Sequence, residues 1–195
     1  MSHEGDIRTF CPERKFDLLF ANPPFVPTPN GIEGVIHSNG GAEGNTLVQV
    51  LFQRLENFLK PTGEAFICVF QLVQAGKPLV SDLAARLIDH RAVEITEAQE
   101  QPIDFALYCQ SYTEIFPRFK NEIARWQSDL TACLGRELGL SHYVVHVGRQ
   151  TEQATSVVAA DNFAEKFGDH LLMRFNHQDL ARARIWENVL QQETS

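Results

Sequence analysis

This chain lacks the features that mark several large classes of protein. Its four cysteines, Cys11, Cys68, Cys109 and Cys133, are scattered with no C-x-x-C spacing. That leaves no disulfide framework and no thiolate zinc site. Three of the four sit in apolar contexts, which predicts buried thiols in a reducing, cytoplasmic setting. No apolar run approaches the length of a bilayer span, and the first residues, Met1 to Asp6, are polar rather than leader-like. No membrane association is therefore expected. Basic charge is also short. The 17 Lys and Arg against 25 Asp and Glu leave a net charge of −8, which argues against tight non-specific nucleic-acid binding, because phosphate contacts need clustered Lys and Arg. Internal repeats, low-complexity tracts and Ser/His/Asp or Cys/His patterns are absent. His142 and His146 share one side of an expected strand but stand about 13 Å apart, too far to share an ion, and no metal ligands are assigned. His37 reads as a solvated loop residue, and Glu97, Glu100, Asp104 and Glu114 as a solvated acidic rim.

What is present fits one ordinary globular domain. The length of 195 residues is enough to bury a core, and 44% hydrophobic with 22% charged residues are common values. Residues 16 to 21, an apolar run with Phe20 inward, predict a buried parallel strand. A Pro- and Gly-rich loop covers 26 to 44, long enough to be functional rather than merely connecting. Asn45 or Thr46 is expected to cap a helix carrying Leu47, Val50, Leu51, Leu55 and Phe58, ended by Pro61-Thr62-Gly63. Ala65 to Phe70 predicts a doubly buried strand, and Gln71 to Lys77 a loop. A helix follows over about 78 to 90, then strands at 93 to 95 and 105 to 109. A helix over about 121 to 138, a strand at 143 to 147 and two helical stretches within 151 to 195, one of them 179 to 192, complete the reading. Strands alternating with helices predict an α/β fold with a parallel-rich sheet.

One turn stands out. Asn22-Pro23-Pro24-Phe25 follows the first strand directly. Two prolines fix two φ angles and remove two donors, so the strand must stop there and its carbonyls are freed from the sheet. Asn22 offers an acceptor and two donors, and Phe25 a flat apolar face. These groups suit a planar substrate bearing an amino or amide nitrogen.

This tetrapeptide resembles the catalytic motif of the S-adenosylmethionine-dependent methyltransferases that modify exocyclic or amide nitrogens. These include the adenine-N6 and cytosine-N4 enzymes, the release-factor glutamine-N5 enzymes and the small-domain group acting on guanine-N2 of ribosomal RNA. Gly5-Asp6 resembles the family's Gly-Asp at the end of an earlier strand, beside the cofactor's adenine. Gly40-Gly41-Ala42-Glu43-Gly44 resembles its Gly-Gly-x-x-Gly segment, and Leu59 to Ala65 its Leu-x-Pro-Gly-Gly turn. The match runs over roughly residues 3 to 75.

The resemblance implies a Rossmann-like methyltransferase sheet, of which strands 4-5-7-6 of the family's 3-2-1-4-5-7-6 order would remain, flanked by helices and followed by extra C-terminal helices. It implies catalytic roles for Asn22, Pro23, Pro24 and Phe25, cofactor contacts for Asp6, Ala21 and Asn22, and substrate contacts for Phe25, Val26, Gly40 and Gly41. Asp6 also reads as a solvent-exposed carboxylate, and Gly40, Gly41 and Gly44 as structural glycines. The family's glycine-rich cofactor loop would precede Gly5-Asp6, and no strand followed by Gly-x-Gly stands there. Residues 1-150 are thus expected to form a truncated methyltransferase domain and 151-195 a helical extension. Such a chain is expected to bind S-adenosylmethionine weakly or not at all on its own.

Two other readings follow, an inactive remnant serving as an oligomerisation or interaction module, and a split enzyme completed by a partner chain. The 16 to 21 strand would become a sheet edge, so a homodimer or a covering by the chain's own C-terminal helices is expected. The substrate is expected to be RNA, a protein glutamine or a small molecule. The segment after residue 110 does not match the glutamine-N5 enzymes and favours a different specificity.

Overall fold

An open, mixed sheet of seven strands runs through the protein, described by a computed structural model over residues 4–32 and 39–174. In chain order the elements are β1 (Phe16–Ala21), α1 (Thr46–Phe58), β2 (Leu59–Gln74), β3 (Lys77–Pro78), α2 (Leu79–Leu87), β4 (Arg91–Glu97) and β5 (Ile103–Asp104). There follow α3 (Phe105–Ile115), α4 (Lys120–Leu134), β6 (Leu138–Gln150), β7 (Ser156–Ala160) and the short α5 (Phe163–Phe167). The main path of the sheet is β1-β2-β6-β4-β7. Strands β1 and β2 are parallel, as are β4 and β7, while β6 runs antiparallel to both its neighbours. The protein is α/β, as the alternation of elements predicts. Among the described residues no helix is long and apolar enough to cross a membrane.

Period-two alternation sends odd-numbered residues of β2 to one face and even-numbered ones to the other. Ala65, Ile67, Val69 and Val73 meet Val48, Leu51, Phe52 and Leu55 of α1 and Val80, Leu83 and Ala84 of α2 in one core. Burying one such leucine stabilises the fold by roughly 1.5–3 kcal/mol. On the other face Phe70, Leu72 and Leu140 pack against Phe105, Tyr108 and Tyr112 of α3 and Ile123, Trp126 and Leu130 of α4.

Several expectations need correction. The run at 105 to 109 is helix, not strand. Its buried residues Phe105, Tyr108, Cys109 and Tyr112 fall at helical spacing, and Asp104 caps the helix by accepting from the Leu107 N–H at 3.0 Å. Asp104 is exposed, as the rim reading expects, and it is also the cap of this helix. Pro61-Thr62-Gly63 does not separate helix from strand. It lies inside β2 as an irregularity, where the register jumps from Phe16↔Leu59 to Leu18↔Glu64. Residues 71 to 74 extend β2 instead of forming a loop, and Ala75 and Gly76, both with positive φ, turn it tightly into β3. The expected helical extension from residue 151 also contains a strand, Ser156–Ala160, paired with β4, ahead of the short helix Phe163–Phe167. The expected helix at 179 to 192 lies outside the described residues.

The largest correction concerns β1. It is parallel to β2 and ends the sheet path, as expected, but it is not buried. Phe16, Leu18 and Phe20 are 41%, 50% and 72% exposed. Phe20 therefore is not core. Its ring stacks on Phe66, which stacks on His146, with centroids 5.4 and 4.4 Å apart. Only Cys109 among the cysteines is buried. Cys68 points to the same open face as Phe66, and Cys11 and Cys133 are also exposed, because an apolar neighbourhood in sequence does not fix which side of an element is covered.

Candidate functional site

The Asn22–Phe25 turn is held by a second loop. After Ala21 the prolines at 23, 24, 27 and 29 supply no backbone donors, so the loop borrows bonds from 39–46. The Gly40 N–H donates to the Val26 carbonyl at 2.9 Å, the Thr28 N–H to Gly41 at 2.9 Å, and the Thr46 N–H to Gly40 at 2.9 Å. The Asn39 side chain closes the turn by accepting from the Gly41 N–H at 2.8 Å. The two loops touch backbone to backbone, since a Cβ on Gly40 would stand 2.7 Å from Phe25 Cα.

A third segment completes the site. Arg54 of α1 donates to the carbonyls of Arg8 and Phe10, the latter at 2.7 Å, which fixes residues 6–10 against the helix. Asp6 accepts from the Arg8 N–H at 2.8 Å and from the Arg8 guanidinium at 3.0 Å. Those bonds, the backbone one first, hold its carboxyl below the ordinary range. A carboxylate has about four acceptor positions, so Asp6 keeps capacity for a ligand.

These three segments enclose a cleft of about 760 Å³. Asp6, Ala21, Asn22, Pro23, Pro24 and Gly41 line it, with Ile7, Leu47 and Leu51 as apolar wall. Phe25, Val26 and Gly40 do not. Phe25 turns to the opposite side of the loop and meets His142 edge-on, with centroids 6.4 Å apart. Val26 packs against the α3–α4 core, and Gly40 backs Phe25. His37 lies outside the described residues. Among those described, the Asn22 side-chain amide has no hydrogen-bond partner. The cleft is thus lined by an amide-bearing residue, a carboxylate-bearing residue, two prolines and aliphatic side chains.

Sequence reading missed Arg8, Asn39 and Thr46 as lining residues. The available signals were the Asp-x-Arg spacing at 6–8 and an Asn immediately before a glycine pair. It also missed His142 as a neighbour of the turn. That imidazole stacks on Phe70 at 4.3 Å, with Nδ1 2.9 Å from Gln99 Oε1. Burial lowers its pKa to about 4. Because the unfolded chain binds this proton more tightly, the stability contributed by neutral His142 is present above about pH 6.5 and is lost as pH falls toward 4. Urea unfolding at pH 7 and 4.5 is expected to show a wild-type loss about 2 kcal/mol larger than that of His142→Phe. Equal losses would show that His142 does not sense acid.

No protein-family model matches this chain, and no curated protein matches it.

Proposed function

We propose that this chain carries the catalytic part of an S-adenosylmethionine-dependent N-methyltransferase that modifies a planar amino or amide nitrogen. The observation that carries the reading is convergence. Gly5-Asp6, Ala21 to Pro24 and Gly41 are far apart in sequence, yet they line one cleft. The strand order β1-β2-β6-β4 supports it as well, being the 4-5-7-6 order the resemblance implies.

The lining residues suit the adenosyl end of the cofactor. Ile7, Leu47 and Leu51 supply flat apolar contact, and Asp6 an acceptor for an exocyclic amine. When bound, the cofactor supplies an electrophilic methyl group. The protein's own part is orientation. The Asn22 amide oxygen and the Pro23 carbonyl accept the two N–H bonds of the substrate nitrogen and aim its lone pair, a contribution of proximity and alignment. The same dipoles face the positive charge that develops on nitrogen. No strong general base is required. With a net charge of −8, a small molecule, a protein glutamine or an exposed RNA base suits the cleft better than a base drawn from a duplex.

Calorimetric titration of S-adenosylmethionine tests this. The expected result is weak, saturable binding that Asp6→Ala weakens by about tenfold or more, the loss of one hydrogen bond to a charged group. Absence of saturable heat would overturn the enzyme reading for this chain.

One observation favours the second reading, an interaction module. The exposed apolar strand β1 ends the sheet path, and such an edge is a template for pairing with another chain. A homodimer through β1, or a partner chain that completes the sheet there, fits that feature. Sedimentation of the same samples separates these from a monomer.

A further inference from the structure

We propose that Tyr108, Tyr112 and Trp126, on the α3–α4 hairpin, are positioning residues for the cleft, acting on Asn22–Pro24 through the backbone of the two loops behind it. The Tyr108 hydroxyl donates to the Pro27 carbonyl at 3.1 Å. The Tyr112 hydroxyl donates to Thr28 Oγ1 at 3.3 Å. The Trp126 indole N–H donates to the Ala42 carbonyl at 3.0 Å. Two of these bonds end on the loop of the Asn-Pro-Pro-Phe turn and the third on the glycine loop, so one aromatic cluster ties both.

The physical need for such a tie is plain. Four prolines leave the first loop short of donors, and its backbone pairing with the second loop is confined to a short bridge about Val26, Thr28, Asn39 and Gly41. A buried carbonyl at Pro27 must nevertheless be satisfied. Tyr and Trp suit the task, because each buries a large ring and keeps one polar tip for a partner. All three side chains are buried. Their rings also support one another, with centroid separations of 5.4 Å for Tyr108 and Tyr112 and 6.3 Å from each to Trp126. The three tips therefore form one rigid set. Burial raises both tyrosine pKa values, which keeps the hydroxyls protonated as donors. Pro27 is three residues from Pro24, so the hairpin's placement sets where the Asn22 amide stands relative to Gly41 across the cleft.

This inference rests on the cleft being the site, but the contact of hairpin with loops does not, and the experiment separates the two. Hydrogen exchange is measured on the full chain for wild type, Tyr108→Phe and Trp126→Phe, substitutions that keep an aromatic ring and delete the donor. The amides of Thr28, Gly40, Gly44 and Thr46 report the loops, and those of Ile67 and Val145 report the sheet centre. The expected result is exchange about tenfold faster or more at the loop amides, as for an orphaned buried carbonyl, with the centre unchanged. Loop and centre accelerating together would mean ordinary destabilisation and would overturn the proposal, as would no change at either. The same variants are titrated with S-adenosylmethionine. If wild type binds, affinity should fall along with loop protection, and unchanged affinity would overturn the link from hairpin to cleft. If wild type does not bind, the enzyme reading fails, while the exchange pattern still decides the positioning role.

Discussion

Replacing Arg91 by methionine is expected to cost about 3 kcal/mol of stability, a loss in the range of breaking several buried hydrogen bonds at once. For a domain of this size that lowers Tm by roughly 6–12 °C. Arg91 is fully buried, with its side chain 0% exposed. Its guanidinium donates to the carbonyls of Gly63 and Gly148, both at 2.8 Å, and Lys60 at 3.1 Å, and to Glu56 at 2.6 and 3.3 Å. Those carbonyls lie where the sheet is irregular. The register of β1 on β2 breaks across residues 60–63, and that of β4 on β6 breaks between Arg91 and Val93. One planar cation supplies the donors that both broken ladders lack. Methionine fills much of the space and supplies none. Glu56 is the contrasting partner. Its side chain is 46% exposed, so Glu56→Gln, which keeps an acceptor, should cost under about 1 kcal/mol. Urea unfolding of the two variants gives the comparison. Arg91→Met losing no more than Glu56→Gln would show that the carbonyls find other partners.

Gly44→Ala is expected to destabilise by about 2–4 kcal/mol and to disorganise the cleft. Gly44 has φ +77°, and an added Cβ would stand 2.5 Å from the Phe25 carbonyl oxygen and 3.2 Å from that of Phe70. Both neighbours are backbone and cannot swing aside. Gly76 separates conformation from space. Its φ is +79° with nothing within 4 Å of the added carbon, so Gly76→Ala should cost only about 1 kcal/mol. The difference in urea midpoints between the two variants measures how tightly the loops are pressed together. Equal losses would mean that the left-handed backbone matters and the loop contact does not.

The fold class was legible because alternating apolar segments and turn residues carry it. The face of each element was harder to read. Phe105 to Cys109 is a short apolar run, which periodicity alone cannot divide between strand and helix. The Asp104 cap was the overlooked clue. Phe20 looks internal because Phe16 to Ala21 has the composition of a central strand, but whether a second layer covers such a strand depends on elements far away in sequence. In the cleft, Asn22 to Pro24 could be read from proline chemistry alone, and Asp6 only through resemblance. Phe25 shows the limit of a motif, since spacing places the ring near the turn without fixing on which side of the loop it lies. The grip of Tyr108, Tyr112 and Trp126 spans more than 80 residues, a distance at which no local pattern carries information.

The central position of β6 has a consequence for how the protein is made. This strand, residues Leu138–Gln150, lies between β2 and β4, although both leave the ribosome long before it. Until it emerges, β2 lacks its partner along ten register positions from Ala65 to Gln74, and β4 has nothing to join it to the rest. The nascent chain must therefore hold two apolar strands apart through the synthesis of α3 and α4, and closing such distant pairings is slow. Synthesis that stops before residue 138 leaves β1 and β3 able to pair with β2 but β4 with no strand to join it to them, the kind of species that aggregates or engages chaperones.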